Sequence, residues 1–132
     1  MAEADIQVAV TPYEMVGGGE TVRRIVDRFY DLMDREPAFA ELRALHAPDL
    51  APMRESLTGF LIAWLGGPRD WFARNPGKCV MSLHSAVTIS PLTARQWSDA
   101  MRLAIADHVL DDDLATRMAD ALEGMARNMV RG

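Results

Sequence analysis

"TVRRIVDRFYDLM", residues 21–33, places Val22, Ile25, Val26, Phe29, Leu32 and Met33 at i, i+3, i+4, i+7, i+10 and i+11. That spacing follows the 3.6-residue turn and gathers the apolar side chains on one face of a helix. Three further stretches repeat the rhythm. Met53, Leu57, Phe60, Leu61 and Trp64 form a second stripe, closed by Gly66, Gly67 and Pro68, residues on which helices stop. Trp97, Ala100, Met101, Ala104, Ile105 and His108 form a third. Its entry, "SPLTARQ" at 90–96, offers either a Ser90 cap with Pro91 in the first helical position or a Thr93–Gln96 capping box. Leu114, Met118, Leu122, Met125 and Met129 form the fourth, with Asp111, Asp112 and Asp113 placed to favour its N-terminus.

Strand signals are weak. "VMSLHSAVTI", 80–89, is the best candidate, and it has no second alternating run to pair with. The expected fold class is all-α in a single domain, with residues 1–11 a flexible N-terminal segment and 12–132 the folded unit. "VGGGE" at 16–20 reads as a turn. "GGPRDWFARNPGK", 66–78, reads as a long polar loop, and loops of that length in compact domains tend to be functional or disordered.

The 132 residues are enough to bury a core without disulfide support. Apolar residues make up 49% and charged residues 25%, an ordinary soluble balance. A net charge of −5, from 14 basic and 19 acidic residues, with no basic stripe, argues against nucleic acid as the main partner. The lone cysteine, Cys79, cannot form an internal disulfide, which favours a reducing, cytoplasmic setting. Glu3 and Asp5 stand where a signal peptide needs positive charge, and no apolar run is long enough to span a bilayer.

Chemistry has few places to reside. There is no G-x-S-x-G, P-loop, H-E-x-x-H or C-x-x-C. Cys79 and His84 lack the spacing and the further ligands of a zinc site, and Cys79 reads as a small buried hydrophobe. Of the three histidines, His108 lies near a helix C-terminus, where a cation complements the dipole. His46 lies in an inter-helix turn, where a surface or capping role is the plain reading. His84 has apolar neighbours at Val80 and Val87, so its face points inward. Taken alone it is a core histidine satisfied by a carbonyl or, less simply, a ligand. Tyr30 and Trp97 alter the balance, because each puts a polar atom on a large aromatic body along an apolar stripe. An axial imidazole, polar donors and an all-α core are what a haem pocket requires.

With these residues in view, the sequence resembles the truncated (2-on-2) haemoglobins of group II. The resemblance runs from about Pro12 to Val130. It rests on "VGGGETVRRIVDRFYDLMD" (16–34) with its Phe29–Tyr30 pair, "LRALHAPDL" (42–50), "FLIAWLGGP" (60–68), His84, and Trp97 thirteen positions after His84. It implies a globin-like 2-on-2 helical sandwich holding haem b, with the iron ligated by His84. It also implies that Tyr30, Trp97 and His46 line the distal side and stabilise a bound dioxygen or other diatomic ligand. Met53 and Leu57 would form the apolar distal wall, with Phe29, Phe60 and Leu61 beside or behind them, and Val80, Val87 and Met101 would pack the proximal side. His46 as a sixth, internal iron ligand is a further option.

The departures from the family pattern cluster before His84. Group II members carry arginines there, one of which pairs with a haem propionate; this chain has Met81, Ser82 and Leu83. Arg69 and Lys78 are the nearest cations for that task. Trp71 stands where the family often has tyrosine, and "NPG" at 75–77 replaces "GHP". A polar distal side suits ligand chemistry or sensing better than bulk oxygen transport. Nitric oxide detoxification and peroxidase-like turnover are the enzymatic options, and both need a separate reductase. The expected assembly is a monomer or homodimer, without nucleic acid or membrane. The competing expectation is a cofactor-free helical interaction module, its aromatics and nine methionines serving as core or adaptable surface.

Overall fold

The computed structural model describes residues 10–75 and 88–130. Among them the chain forms seven α-helices and no strand. The four expected stripes become the four long helices: α2 (Gly18–Arg35), α4 (Ala51–Trp64), α6 (Pro91–His108) and α7 (Asp112–Asn128). Three short helices join them, α1 (Pro12–Val16), α3 (Ala40–Ala44) and α5 (Asp70–Arg74). A single 3₁₀ turn, Pro37–Phe39, leads into α3. Helix α2 packs on both α4 and α6, and α6 runs along α7, so one helix pair lies on another in a 2-on-2 sandwich.

The helix ends follow from local chemistry. Thr11 caps α1 in a reciprocal box with Glu14. Gly17, at φ +110°, makes the left-handed step that closes α1, and α2 begins at the next residue. The turn expected across 16–20 is therefore confined to Gly17 and Gly18, both at positive φ, with Gly18 the first residue of α2. Ser90 caps α6 with Pro91 at the first position, and Thr93, not Gln96, closes the box. Asp111 caps α7 by accepting from the Leu114 amide at 3.1 Å.

The stretch expected as an open loop at 66–78 holds α5 over Asp70–Arg74. What fixes this one-turn helix is contact, not propensity. The Trp71 side chain lies on Gly59 of α4 so closely that a Cβ there would come within 2.3 Å of the Trp71 Cβ. No side chain other than hydrogen leaves room for the indole.

The core lies where the layers meet. Val22, Ile25, Val26, Phe29 and Met33 from α2 meet Leu61 from α4, Met101 and Ile105 from α6, and Leu122 from α7, all essentially inaccessible to water. Each of these side chains contributes about 1.5–3 kcal/mol by leaving water. Arg54 of α4 ties the upper layer together from outside. It bonds the Asp27 and Asp31 carboxylates of α2 at 3.0 Å each and also the Asp27 carbonyl. Among the described residues no helix is long and apolar enough to cross a membrane.

Candidate functional site

A cavity of about 380 Å³ opens between the layers. Met53, Leu57 and Phe60 of α4 form one wall, extended by Trp71 and Phe72 of α5. Ala94 and Trp97 of α6, Leu122 and Met125 of α7, and Met129 at the cap of α7 form the facing wall. Tyr30 and the turn after α3, with Leu45, His46 and Ala47, complete it. Its surface is largely hydrocarbon, with the Tyr30 hydroxyl, the His46 ring, the Trp71 and Trp97 indoles and the Ser56 and Thr93 hydroxyls as the polar side-chain groups of the lining. The Thr93 hydroxyl is engaged in the Ser90 cap.

The aromatic residues are mutually positioned. Phe29, fully buried, meets Tyr30 edge-on at 4.9 Å and Trp97 at 5.4 Å between ring centroids. Tyr30 meets His46 edge-on at 6.0 Å. Two polar-tipped rings thus gather about one phenylalanine, with His46 against one of them, each pair in the edge-to-face geometry that aromatic quadrupoles prefer. On the α4–α5 side Phe72 stands edge-on to Trp71 at 5.0 Å and to Phe60 at 6.5 Å.

Protonation follows from burial. The Tyr30 phenol is pushed well above its usual range by desolvation, an effect that the nearby Arg54 charge only partly offsets. The Arg54 guanidinium lies 5.7 Å from the Tyr30 ring centroid. Tyr30 is therefore a neutral hydroxyl, able to donate. The His46 Nδ1 lies 2.9 Å from the Leu42 carbonyl oxygen, which can only accept, so Nδ1 carries the proton. In the neutral ring Nε2 is then the acceptor nitrogen.

Of the residues singled out in the sequence, Tyr30, His46, Met53, Leu57, Phe60, Trp71 and Trp97 line this one cavity. Phe29, Leu61 and Met101 do not reach it; they are core side chains behind the lining, each at most 1% exposed. Arg69 is exposed at the start of α5, its guanidinium 5.0 Å from the centroid of the cavity-lining Phe72 ring. Lys78, Val80, His84 and Val87 lie outside the described residues, as do Cys79 and most of the strand-like stretch. Phe72, Ala94, Leu122, Met125 and Met129 line the cavity without having been singled out as site residues. The last three were visible only as a helical stripe, and a stripe does not say whether it meets protein or a chamber.

Residues 11–131 match the family model of the bacterial-like globins. The group 2 truncated haemoglobin of Bacillus subtilis is 29% identical over 120 residues, covering 90% of this chain and 87% of the relative. This chain is a bacterial-like globin of the group II truncated haemoglobin class. The globin also superimposes on solved members. The group II 2-on-2 haemoglobin of Agrobacterium tumefaciens matches with a TM-score of 0.90 and 29% identity, over 96% of this chain and 98% of that one. A thermostable haemoglobin from Thermobifida fusca matches with a TM-score of 0.81 and 31% identity, over 92% and 97%. The globin-like 2-on-2 sandwich expected from the sequence is the observed fold.

Proposed function

We propose that the cavity holds haem b, with His84 as the protein's ligand to the iron, and that the protein binds dioxygen and other diatomic molecules there. The make-up of the cavity carries the reading: a largely hydrocarbon chamber of about 380 Å³ set with the neutral donors of Tyr30 and Trp97. A flat apolar macrocycle suits such walls, and chambers of this size are typical for cofactors. Two observations support His84. It is the histidine to which the family resemblance gives the proximal role, and residues on both sides of its segment, Phe72 before and Ile89 after, line the cavity.

When bound, the haem would supply an iron able to take up a small diatomic ligand. The chain's own residues decide how that ligand is held. The Trp97 indole N–H can only donate, and Tyr30 stays protonated across the physiological range, so both present positive edges to a ligand that gathers partial negative charge. Met53, Leu57 and Phe60 wall the chamber with hydrocarbon, keeping water out and strengthening those two hydrogen bonds. Arg69, beside the Phe72 face of the cavity, is placed to meet a propionate, and Lys78 is the second candidate for that task. A firmly held, polarised ligand favours nitric oxide detoxification or peroxidase-like turnover over delivery, with electrons from a separate reductase.

Absorption spectroscopy of the purified chain tests this. The expected result is a red protein whose Soret band is lost in His84→Gly and returns with added imidazole. A colourless protein that ignores added haemin would overturn the reading and favour the cofactor-free helical module.

A further inference from the structure

Arg54 stands near the start of α4, between the cavity-lining Met53 and Ser56, without bordering the cavity itself. It reaches across to α2, where Asp27 lies three residues before Tyr30 and Asp31 directly after it. The two acids are one helical turn apart, so a single side chain can meet both. Arg54 Nη1 donates to the Asp27 carbonyl at 3.2 Å and to its carboxylate at 3.0 Å, and Nη2 donates to the Asp31 carboxylate at 3.0 Å. Held in this way, the guanidinium carbon lies over the Tyr30 ring, 5.7 Å from its centroid.

The charge at this place is fixed. Burial works against it, but the bonds and charges of Asp31 and Asp27 outweigh that, and the Arg54 pKa stands above the usual arginine value. Bridging α2 to α4 is one task of the pair of acids and the cation. Both carboxylates stay partly in water, and bridges of that kind add little to stability.

A bridge alone does not require the position over Tyr30. A guanidinium within about 6 Å of a ring centroid is attracted to the π electrons and draws on them. In a phenol that pull reaches the oxygen and makes the hydroxyl a stronger donor. The direction agrees with the setting of Tyr30, where burial opposes ionisation of the hydroxyl and the Arg54 charge favours it. Phe29 and His46 meet the same ring edge-on, which steadies the ring under the cation.

We propose that Arg54 is a positioning residue acting through Tyr30: its guanidinium, pinned over the ring by Asp27 and Asp31, polarises the phenol and strengthens the hydrogen bond that Tyr30 gives inside the cavity. The meaning for ligands rests on the haem reading above. Tyr30 then grips a partially negative ligand more firmly than a phenol without the cation would. Asp27 and Asp31, which do not line the cavity, serve the ligand by holding that cation in place.

Two readouts on the full-length protein test this. The first is carbon-13 NMR with tyrosine labelled at Cζ, where the chain's two tyrosines give two signals and Tyr13 serves as reference. Arg54→Met is expected to move the Tyr30 signal upfield, away from the phenolate side, and Arg54→Lys to keep it near the wild-type position, with Tyr13 unmoved in both. Both substitutions break the fork between α2 and α4, so lost bridging alone would move Tyr30 alike in the two. Should Arg54→Met not fold, the triple exchange that adds Asp27→Asn and Asp31→Asn leaves neither carboxylate unpaired and stands in for it. A Tyr30 signal that stays put without the charge, or that moves equally in Arg54→Lys, overturns the proposal. The second readout is a double-mutant cycle on dioxygen release from the ferrous protein. Arg54→Met is expected to speed release roughly two- to tenfold in the wild-type background and to have no effect in Tyr30→Phe. The same factor in both backgrounds, none at all included, overturns the proposal as well. The first readout does not depend on bound haem. A colourless protein whose Tyr30 answers to Arg54 would defeat only the haem reading, and a red one whose Tyr30 ignores Arg54 only this one.

Discussion

Tyr30 shows how one side chain's surroundings set its chemistry. Its ring is 5% exposed and packed edge-on against Phe29 and His46, and desolvation holds its ionisation above the ordinary range. Because the folded pKa is the raised one, this contribution to stability is whole below the unfolded value of about 10 and drains away as pH rises beyond it. Urea unfolding followed between about pH 9 and 12 should therefore show stability falling more steeply with pH in the wild type than in Tyr30→Phe. Equal slopes would mean that the phenol ionises as easily folded as unfolded. Thr58 offers the opposite case. Its hydroxyl is buried, the residue only 3% exposed, without a hydrogen-bond partner among the described residues. An unsatisfied buried hydroxyl costs about 1–3 kcal/mol, so the nearly isosteric Thr58→Val should raise the midpoint of denaturant unfolding, by about 1 kcal/mol in stability. A lowered midpoint would show that the hydroxyl is satisfied after all.

Among elements, the contrast is between helices that specify themselves and helices that are held. The four long helices were legible because each repeats its apolar face over several turns and carries its own punctuation, as with Ser90–Pro91 before α6 and Gly66 after α4. Helices α3 and α5 were not, since five residues cannot display a period. They exist through partners distant in sequence, Gln96 for α3 and Gly59 for α5. Nothing local in "RDWFARN" distinguishes a docked turn of helix from a loop. The dependence on Gly59 is testable. Gly59→Ala puts a methyl into the Trp71 side chain and should push α5 away, costing about 1–3 kcal/mol as overpacking does. Thermal unfolding together with Trp71 fluorescence would register both effects. An unchanged melting temperature would mean that α5 is not seated on α4.

At the scale of the whole molecule, the cavity exists because two helix pairs diverge around a set of aromatic residues that the core holds from behind. Phe29 is the hinge of that arrangement, touching both Tyr30 and Trp97 while itself reaching no cavity surface. This is also why the site was only partly legible. Periodicity finds the inward face of a helix, yet Leu57 and Leu61 share one face of α4 and only Leu57 borders the chamber. The α7 wall of Leu122, Met125 and Met129 was hidden for the same reason. The polar groups were the more reliable guide, since Tyr30 and Trp97, on otherwise apolar stripes, converge on one space with His46 from the turn after α3.

On the proposed reading this space holds a polarised diatomic ligand through Tyr30 and Trp97. The most direct measurement is the dioxygen dissociation rate of the ferrous protein by stopped flow, in the wild type, Trp97→Phe and Tyr30→Phe. With hydrogen bonds to a charged partner worth about 1.5–3 kcal/mol, the wild type should release dioxygen slowly and each variant roughly ten to a hundred times faster. A wild-type rate that is already fast, and unmoved by either substitution, would contradict it.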